Sequence, residues 1–543
     1  MKICKEIDDY INYVRSKEAV VCQEQLLLCD LIEKVFLEED VYVDEKQLAR
    51  YLAFQKFFPY KLLPWELFCF ALHNCTYRQD GELRFPELAI IVGRGAGKNG
   101  YLAFENFCLT TPVNGVTGYN IDMFATSEEQ AKATFSDIYD VLESNKQYFK
   151  NYFRWNLETI RNLKTKSEIK YHTRAPNTKD GGRPGKVDFD EYHAYENYKL
   201  IEVAETGLGK RAHARETIIS TQGYVRDGPM DALFEECLDI LNGRMPDNGR
   251  IVFICRLNAD EEVDDERNWQ KANPSLMYFP HLMTEIRREY EKYKRDPANH
   301  SSFMTKRMNR PKAESEYNVT EWENLVAATR ELPDLKGRSC VAGIDYAKSR
   351  DFVAAGLLFK DGDKYYWIHH TWVCRKSKDL KRIRFPLDEA ETEGVLEYVN
   401  EPEFDARDIA DWLAKMNRDY IIEAVALDDY RYNLVKDALK EIGFTTEKKN
   451  IKLVRPSDKI KVSITIGHVF TRHLLSWGTS KIMRWYTWNV KETVDKKGNA
   501  VYEKQEEKAR KTDGFFAYVA AMTIEDMIKQ RTKVIGRRIS TVC

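Results

Sequence analysis

The segment that most constrains this chain is RFPELAIIVGRGAGKNGYLAFENFCL, residues 84–109. A short apolar strand, Leu88 to Val92, runs into a glycine-rich turn and then a helix-like continuation. The turn is Gly93-Arg94-Gly95-Ala96-Gly97-Lys98-Asn99. Its glycines let successive backbone N–H groups point at an anion, and Lys98 adds charge for β/γ phosphates. The match to G-x-x-x-x-G-K-[ST] is imperfect. Val92 stands where the first glycine belongs, and Asn99 replaces the hydroxyl residue that touches Mg²⁺. A glycine-rich turn by itself is also compatible with a plain tight turn.

A phosphate cradle needs a partner strand that ends in a metal-binding acid, with a second group to orient water. Lys186-Val187-Asp188-Phe189-Asp190-Glu191-Tyr192-His193 offers both. Asp190 suits the metal and Glu191 the water. Asp188 makes this strand less apolar than expected. His193 has no second His or Cys at ligand spacing, so it reads as structural. A third strand ends in Ser220-Thr221-Gln222-Gly223. Small hydroxyl and amide groups there suit sensing of a γ-phosphate, although an ordinary strand exit has the same composition.

Alternating strands and helices continue to about residue 255, which argues for an α/β domain with a mostly parallel sheet. Residues 1–58 read as a helical lead-in, with Ile7, Ile11 and Val14 and then Leu31, Ile32 and Val35 at helical spacing. The nucleotide-binding core is expected over 59–255. Residues 256–335 are charged and punctuated by Pro274, Pro297, Pro311 and Pro333, which suggests a lid and linker with a helix from Thr284 to Lys294. A second strand-rich block covers 336–530, and 531–543 form a basic tail.

The balance of 84 basic and 86 acidic residues excludes a uniformly basic nucleic-acid binder but not a local basic track. The 11 cysteines include no C-x-x-C pair, so a zinc ribbon is not expected and reduced thiols are. The first residues carry acids where a secretory signal needs an apolar core. No apolar run is long enough for a membrane span.

The second block carries isolated acids at element boundaries. Asp345 ends the strand CVAGID, Asp428 and Asp429 end IIEAVALDD, and Asp513 opens the helix-like DGFFAYVAAM. Each alone is weak, since acids are common at strand ends and helix caps. Together they fit a nuclease in which carboxylates hold two Mg²⁺ or Mn²⁺ ions about 4 Å apart. Asp351 is a further candidate ligand.

The ordered motifs PWELF, GRGAGKN, ATSEEQAKATF, VDFDEYHAYE, IISTQG, NWQKANPSL, FMTKRMNRP, AGIDYAKSRDFVAAGLL, ALDDYRYNLVKDAL, MRWYTWNV and KARKTDGFFAYVAAM resemble the large terminase subunits of tailed bacteriophages. The resemblance runs from about Pro64 to Met522. It implies an N-terminal P-loop ATPase of the ASCE type and a C-terminal RNase H-like α/β nuclease. It implies a motor that pumps viral double-stranded DNA into procapsids through a portal protein and cuts concatemeric DNA. A small terminase subunit and a homo-oligomeric ring, a pentamer, are the implied partners, with no membrane. The implied location is the host cytoplasm, transiently on the procapsid.

Carried over by motif, Gly93 to Asn99 form the Walker A loop, with Arg94 and Lys98. Asp190 is the Walker B acid and Glu191 the catalytic glutamate. Ser220, Thr221, Gln222 and Gly223 resemble the coupling motif. Trp65 and Glu66 fall at the adenine-side motif, with Glu where Gln is usual. Asp345, Asp428 and Asp513 resemble the nuclease ligands, with Asp429 an alternative for the second. The trans-acting arginine finger has no assignment; Arg211 and Arg215 are merely near in sequence. Lys508, Arg510 and Lys511 suggest a DNA track. A P-loop translocase or helicase without nuclease activity, and an RNase H-like recombinase with an accessory ATPase, remain alternatives.

Overall fold

The computed structural model describes residues 2–172, 183–297, 300–311, 318–347, 352–377, 379–380, 382–383, 385–400, 404–494, 500–504 and 510–529. Asp351, Lys508 and the tail 531–543 therefore lie outside the described residues. The chain divides into two compact units, Met1–Lys312 and Ala313–Cys543.

The first unit is built on an eight-stranded sheet. Its spatial order is Arg250–Ile254, Glu87–Ile91, Arg215–Ser220, Pro184–Asp190, Asn120–Phe124, Glu168–His172, Ile160–Asn162 and Phe153–Trp155. The first six are mutually parallel, and the last two add an antiparallel edge. The strand feeding the glycine-rich turn is thus separated from the strand ending in Asp190 by one additional strand, the arrangement expected of an ASCE core. The parallel strands are near-continuous apolar runs because helices cover both faces of such a sheet. Asp188 looks out of place in one of these runs. It is buried against Lys186 at 2.6 Å and accepts from Asn106 at 2.7 Å, while Lys186 also reaches Glu105 at 2.7 Å. A polar network buried in the core thus explains a strand that the sequence made look weak.

The expected helical lead-in is present as Lys5–Val14 and Gln23–Glu38, whose apolar stripes join the core of the first unit. The expected lid helix spans Pro280–Arg295. It belongs to a small separate core of Leu257, Trp269, Leu276, Ile286, Phe303 and Met308. The two compact units divide inside the stretch 256–335 expected as lid and linker. Val319, Leu325 and Ala328 pack into the core of the second unit, so apolar contacts place the boundary near residue 312.

The second unit holds a seven-stranded mixed sheet. Its central order is Lys364–Cys374, Phe352–Asp361, Ser339–Asp345, Ile421–Asp428 and Ile451–Val454. The first three are antiparallel neighbours, and the last two run parallel to Ser339–Asp345. Numbered along the chain, that is 3-2-1-4-5, as expected for an RNase H-like domain. Alternation along the strand sends Val341 to one apolar layer and Cys340, Ala342 and Ile344 to the other.

Candidate active sites

In the first unit, strand Glu87–Ile91 delivers the turn to the N-terminus of helix Lys98–Thr110. Gly95 and Gly97 take φ of 93° and 98°, which only glycine adopts without strain. Among the described backbone hydrogen bonds outside helices and strands, none is donated by Gly95, Ala96 or Gly97. Their N–H groups are available to an anion at a helix N-terminus. The first half of the turn is instead held by the lid. Gly93 N–H donates to the Ala272 carbonyl at 2.8 Å and Arg94 N–H to the Lys306 carbonyl at 2.7 Å. The Arg94 carbonyl accepts from Arg307 at 2.9 Å, and the Ala96 carbonyl accepts from Ser275 Oγ at 2.6 Å. A Cβ on Gly93 would stand 2.4 Å from the Arg307 carbonyl, so this close approach requires glycine.

Lys98 is buried, and its Nζ donates to the Val92 carbonyl at 3.1 Å. Burial lowers its pKa, while Glu191 and Asp190 oppose that shift, so the three groups share one local field. Asp190 is buried at the end of its strand, and among the described residues its Oδ1 has no hydrogen-bond partner. Burial, and then repulsion from Glu191, push its pKa up to about 7. An orphaned carboxylate oxygen beside an anion cradle fits an Mg²⁺ ligand. Glu191 follows in a left-handed conformation, φ 50°. Ser220, Thr221 and Gln222 are buried beside it, and the Ser220 carbonyl accepts from Val92 N–H at 3.1 Å.

Two expectations need correction, for Trp65 and Lys511, and Arg215, left unassigned above, is excluded as a finger. Trp65 is 1% exposed. It stacks on Phe253 and Tyr101 and donates to Ser275 Oγ at 2.9 Å, so it braces the lid contact and offers no open face to a base. Arg215 is fully buried on the Tyr119 hydroxyl at 2.9 Å, which excludes it as a finger reaching another subunit. Lys511 is also buried, 3.1 Å from Asp379, so it fixes the loop before Asp513 and is not part of a DNA track.

Sequence reasoning passed over two residues here. His193 was read as structural, yet its ring touches Glu191, Ser220 and Lys306. Asn309, inside the motif FMTKRMNRP, bonds the Ile91 and Cys255 carbonyls and Gln222 N–H. The only sequence signal for either was position inside a motif.

In the second unit, Asp345 and Asp428 end neighbouring parallel strands, with Ile344 paired to Leu427. Helix Asp513–Met522 crosses this sheet closely. A Cβ on Gly343 would lie 2.0 Å from the Ala517 carbonyl, so glycine there allows the approach. The approach brings Asp513 to the same cleft of about 610 Å³, lined by Asp345, Asp428, Tyr430, Arg431, Lys459, Lys504 and Asp513. Asp429 is exposed and does not line it. Burial raises the pKa of Asp345, opposed by Lys504 and Lys459. Lys459 also lies 3.0 Å from Asp428 Oδ2.

Three hard-oxygen donors in one cleft fit Mg²⁺ or Mn²⁺ by chemistry. Their spacing is not that of a closed ligand set: among the described residues, no three His, Cys, Asp or Glu are grouped to hold a metal. Lysines fill part of the cationic role in the geometry seen.

A model of the terminase large subunit ATPase domain matches residues 64–237, and one of its endonuclease domain matches 245–533. The terminase large subunit of Lactococcus phage SK1 is 23% identical over 442 residues, covering 78% of this chain and 79% of that protein. The crystal structure of the HK97 bacteriophage large terminase aligns with a TM-score of 0.48 at 18% identity, covering 89% of this chain and 100% of that one. The large terminase nuclease from thermophilic phage G20c, solved with bound magnesium, aligns at TM-score 0.27 and 11% identity, over 38% of this chain and 98% of that one. With the endonuclease model alone covering more than half of its length, this chain belongs to the terminase large subunit family, in which an ATPase that drives DNA packaging is joined to an endonuclease.

Proposed function

We propose that residues 93–99 cradle the phosphates of ATP, that Lys98 leaves the Val92 carbonyl for the β/γ phosphates, and that Glu191 orients the attacking water. The observation that carries this reading is that Lys98, at the start of its helix, shares one electrostatic environment with Asp190 and Glu191 at the end of a strand one removed in the sheet. Asp190 would hold Mg²⁺, which supplies charge neutralisation between phosphate oxygens. Loss of the γ-phosphate then releases Ser220 to Gly223 and the lid from their shared contacts.

The motor's cargo is viral double-stranded DNA, held by sequence-independent and salt-sensitive phosphate contacts. It acts as a homo-oligomeric ring, a pentamer, docked on the portal protein of the procapsid in the host cytoplasm. The small terminase subunit is its other partner. No helix among the described residues is long and apolar enough to cross a membrane.

In the nuclease unit, Asp345, Asp428 and Asp513 would hold Mg²⁺ or Mn²⁺, which activates water and stabilises the leaving oxygen. Lys459 must release Asp428 for that, and the arrangement keeps the cleft neutralised until then. The test is DNA-stimulated ATP hydrolysis by the full chain. Lys98→Ala and Glu191→Gln should each abolish turnover, and turnover that survives both would overturn the reading.

A further inference from the structure

His193 sits where three parts of the ATPase unit meet. Its Nδ1 is 3.0 Å from Glu191 Oε2 and 3.1 Å from Ser220 Oγ. Its Nε2 is 2.5 Å from Lys306 Nζ, on the lid. Its backbone N–H donates to Ser220 Oγ at 3.0 Å, and that hydroxyl donates onward to the Thr221 carbonyl at 2.7 Å. The ring also fills the space over Gly223, where a Cβ would stand 2.5 Å from His193 Cδ2.

The direction of these bonds follows from chemistry. Burial, and then the charges of Lys306, Lys98 and Arg94, push the imidazole pKa down to about 3, so the ring is neutral. A lysine ammonium only donates, so Nε2 accepts. Nδ1 then carries the proton, hydrogen-bonds Ser220 Oγ at 3.1 Å and lies against Glu191 Oε2 at 3.0 Å. The line of contacts runs from lid ammonium to imidazole, and from the imidazole to both the Ser220 hydroxyl and the Glu191 carboxylate. Lys306 is itself fixed to the phosphate-binding turn, because its carbonyl accepts from Arg94 N–H.

We propose that His193 is a positioning residue that ties the carboxylate of Glu191 to the lid through Lys306 and to the coupling segment through Ser220. A shift of either partner moves the ring and with it Glu191. The lid and coupling segment thereby set whether the glutamate is aimed at water. Lys306 also attracts Glu191 directly by charge, and the imidazole is the contact that joins the two.

This inference rests on Glu191 being the water-orienting acid. The experiment is steady-state ATP hydrolysis by the full chain, with kcat and KM read separately. His193→Ala should lower kcat by about tenfold to a hundredfold, the usual cost of misplacing a catalytic group. KM for ATP should stay within about twofold, because the ring does not line the phosphate turn. His193→Asn, whose amide N–H stands near the place of Nδ1, should recover part of the loss. Lys306→Met should lower kcat, and should cost clearly less in the His193→Ala background than in the wild-type chain.

Unchanged kcat in His193→Ala, equal failure of His193→Asn, a KM rising in step, or additive losses in the double variant would each overturn the proposal. If His193→Ala does not fold, Lys306→Met alone and with His193→Asn carry the same test. Full activity in Glu191→Gln sinks the underlying assignment; a dead Glu191→Gln beside an unaffected His193→Ala sinks only the role of His193.

Discussion

The side-chain amide of Asn309 donates to the Cys255 carbonyl at 2.8 Å, just past the end of strand Arg250–Ile254. The same amide reaches the Ile91 carbonyl at 3.0 Å, and its Oδ1 accepts from Gln222 N–H at 2.7 Å. One lid residue therefore satisfies backbone groups following three strands of the ATPase sheet. The Ile91 carbonyl keeps the Cys255 N–H at 2.9 Å, but Asn309→Ala takes the partner from the Cys255 carbonyl and the Gln222 N–H, at about 1–3 kcal/mol per group. Urea unfolding should show a loss of about 2 kcal/mol or more. A loss below about 0.5 kcal/mol, the scale of ordinary surface changes, would contradict the bridge.

Glu66 is buried, accepts from Leu63 N–H at 2.7 Å, and has its pKa pushed up to about 8 by burial. It is therefore protonated at neutral pH, with the shape and neutrality of a glutamine. Its folded pKa exceeds the unfolded value near 4.5, so the folded state binds the extra proton between those pH values. Stability from this group is highest at low pH and falls as pH rises toward 8. Glu66→Gln should leave ATP hydrolysis unchanged at pH 7. Its thermal advantage over the wild-type chain should grow between pH 5 and 8 by at least about 1 kcal/mol, or about 2–4 °C. A pH-independent difference contradicts this.

Lys186 is fully buried between Glu105 and Asp188. Lys186→Met strands two carboxylates in the core, and breaking such a pair costs about 3–5 kcal/mol. Adding Glu105→Gln and Asp188→Asn removes both stranded charges and should restore much of the loss. Chemical denaturation of the three-residue variant checks this.

Asp428 lines the nuclease cleft and Asp429 does not. Plasmid cleavage with Mn²⁺ should vanish in Asp345→Ala, Asp428→Ala and Asp513→Ala, and on chelation of the metal. Asp429→Ala should retain most of it. Loss in Asp429→Ala with retention in Asp428→Ala would reverse the assignment.

Both sheets were legible in the sequence because parallel buried strands are apolar runs bounded by turns, as in LAIIV and VAGID. Asp190, Asp345 and the pair Asp428 and Asp429 stood out as charges closing apolar runs, and Asp513 as a charge opening a helix-like one. What stayed hidden depends on contacts distant along the chain. Trp65 sits in a plausible motif position, yet stacking on Phe253 and Tyr101 turns it inward. Lys511 looks like part of a basic run until Asp379 is found beside it. His193 has no periodicity to mark it, since its partners Ser220 and Lys306 are 27 and 113 residues away. The choice between Asp428 and Asp429 needed the turn after the strand, where Asp428 also accepts from Tyr430 N–H at 3.0 Å.

One chain carries a motor and a cutter as separable chemistries. The most direct measurement is ATP-driven packaging of DNA into purified procapsids, scored for both DNA uptake and end formation. Lys98→Ala should stop uptake, while Asp345→Ala should take up precut linear DNA at the wild-type rate and fail to cut. Uptake by Lys98→Ala, or cutting by Asp345→Ala, would contradict the account.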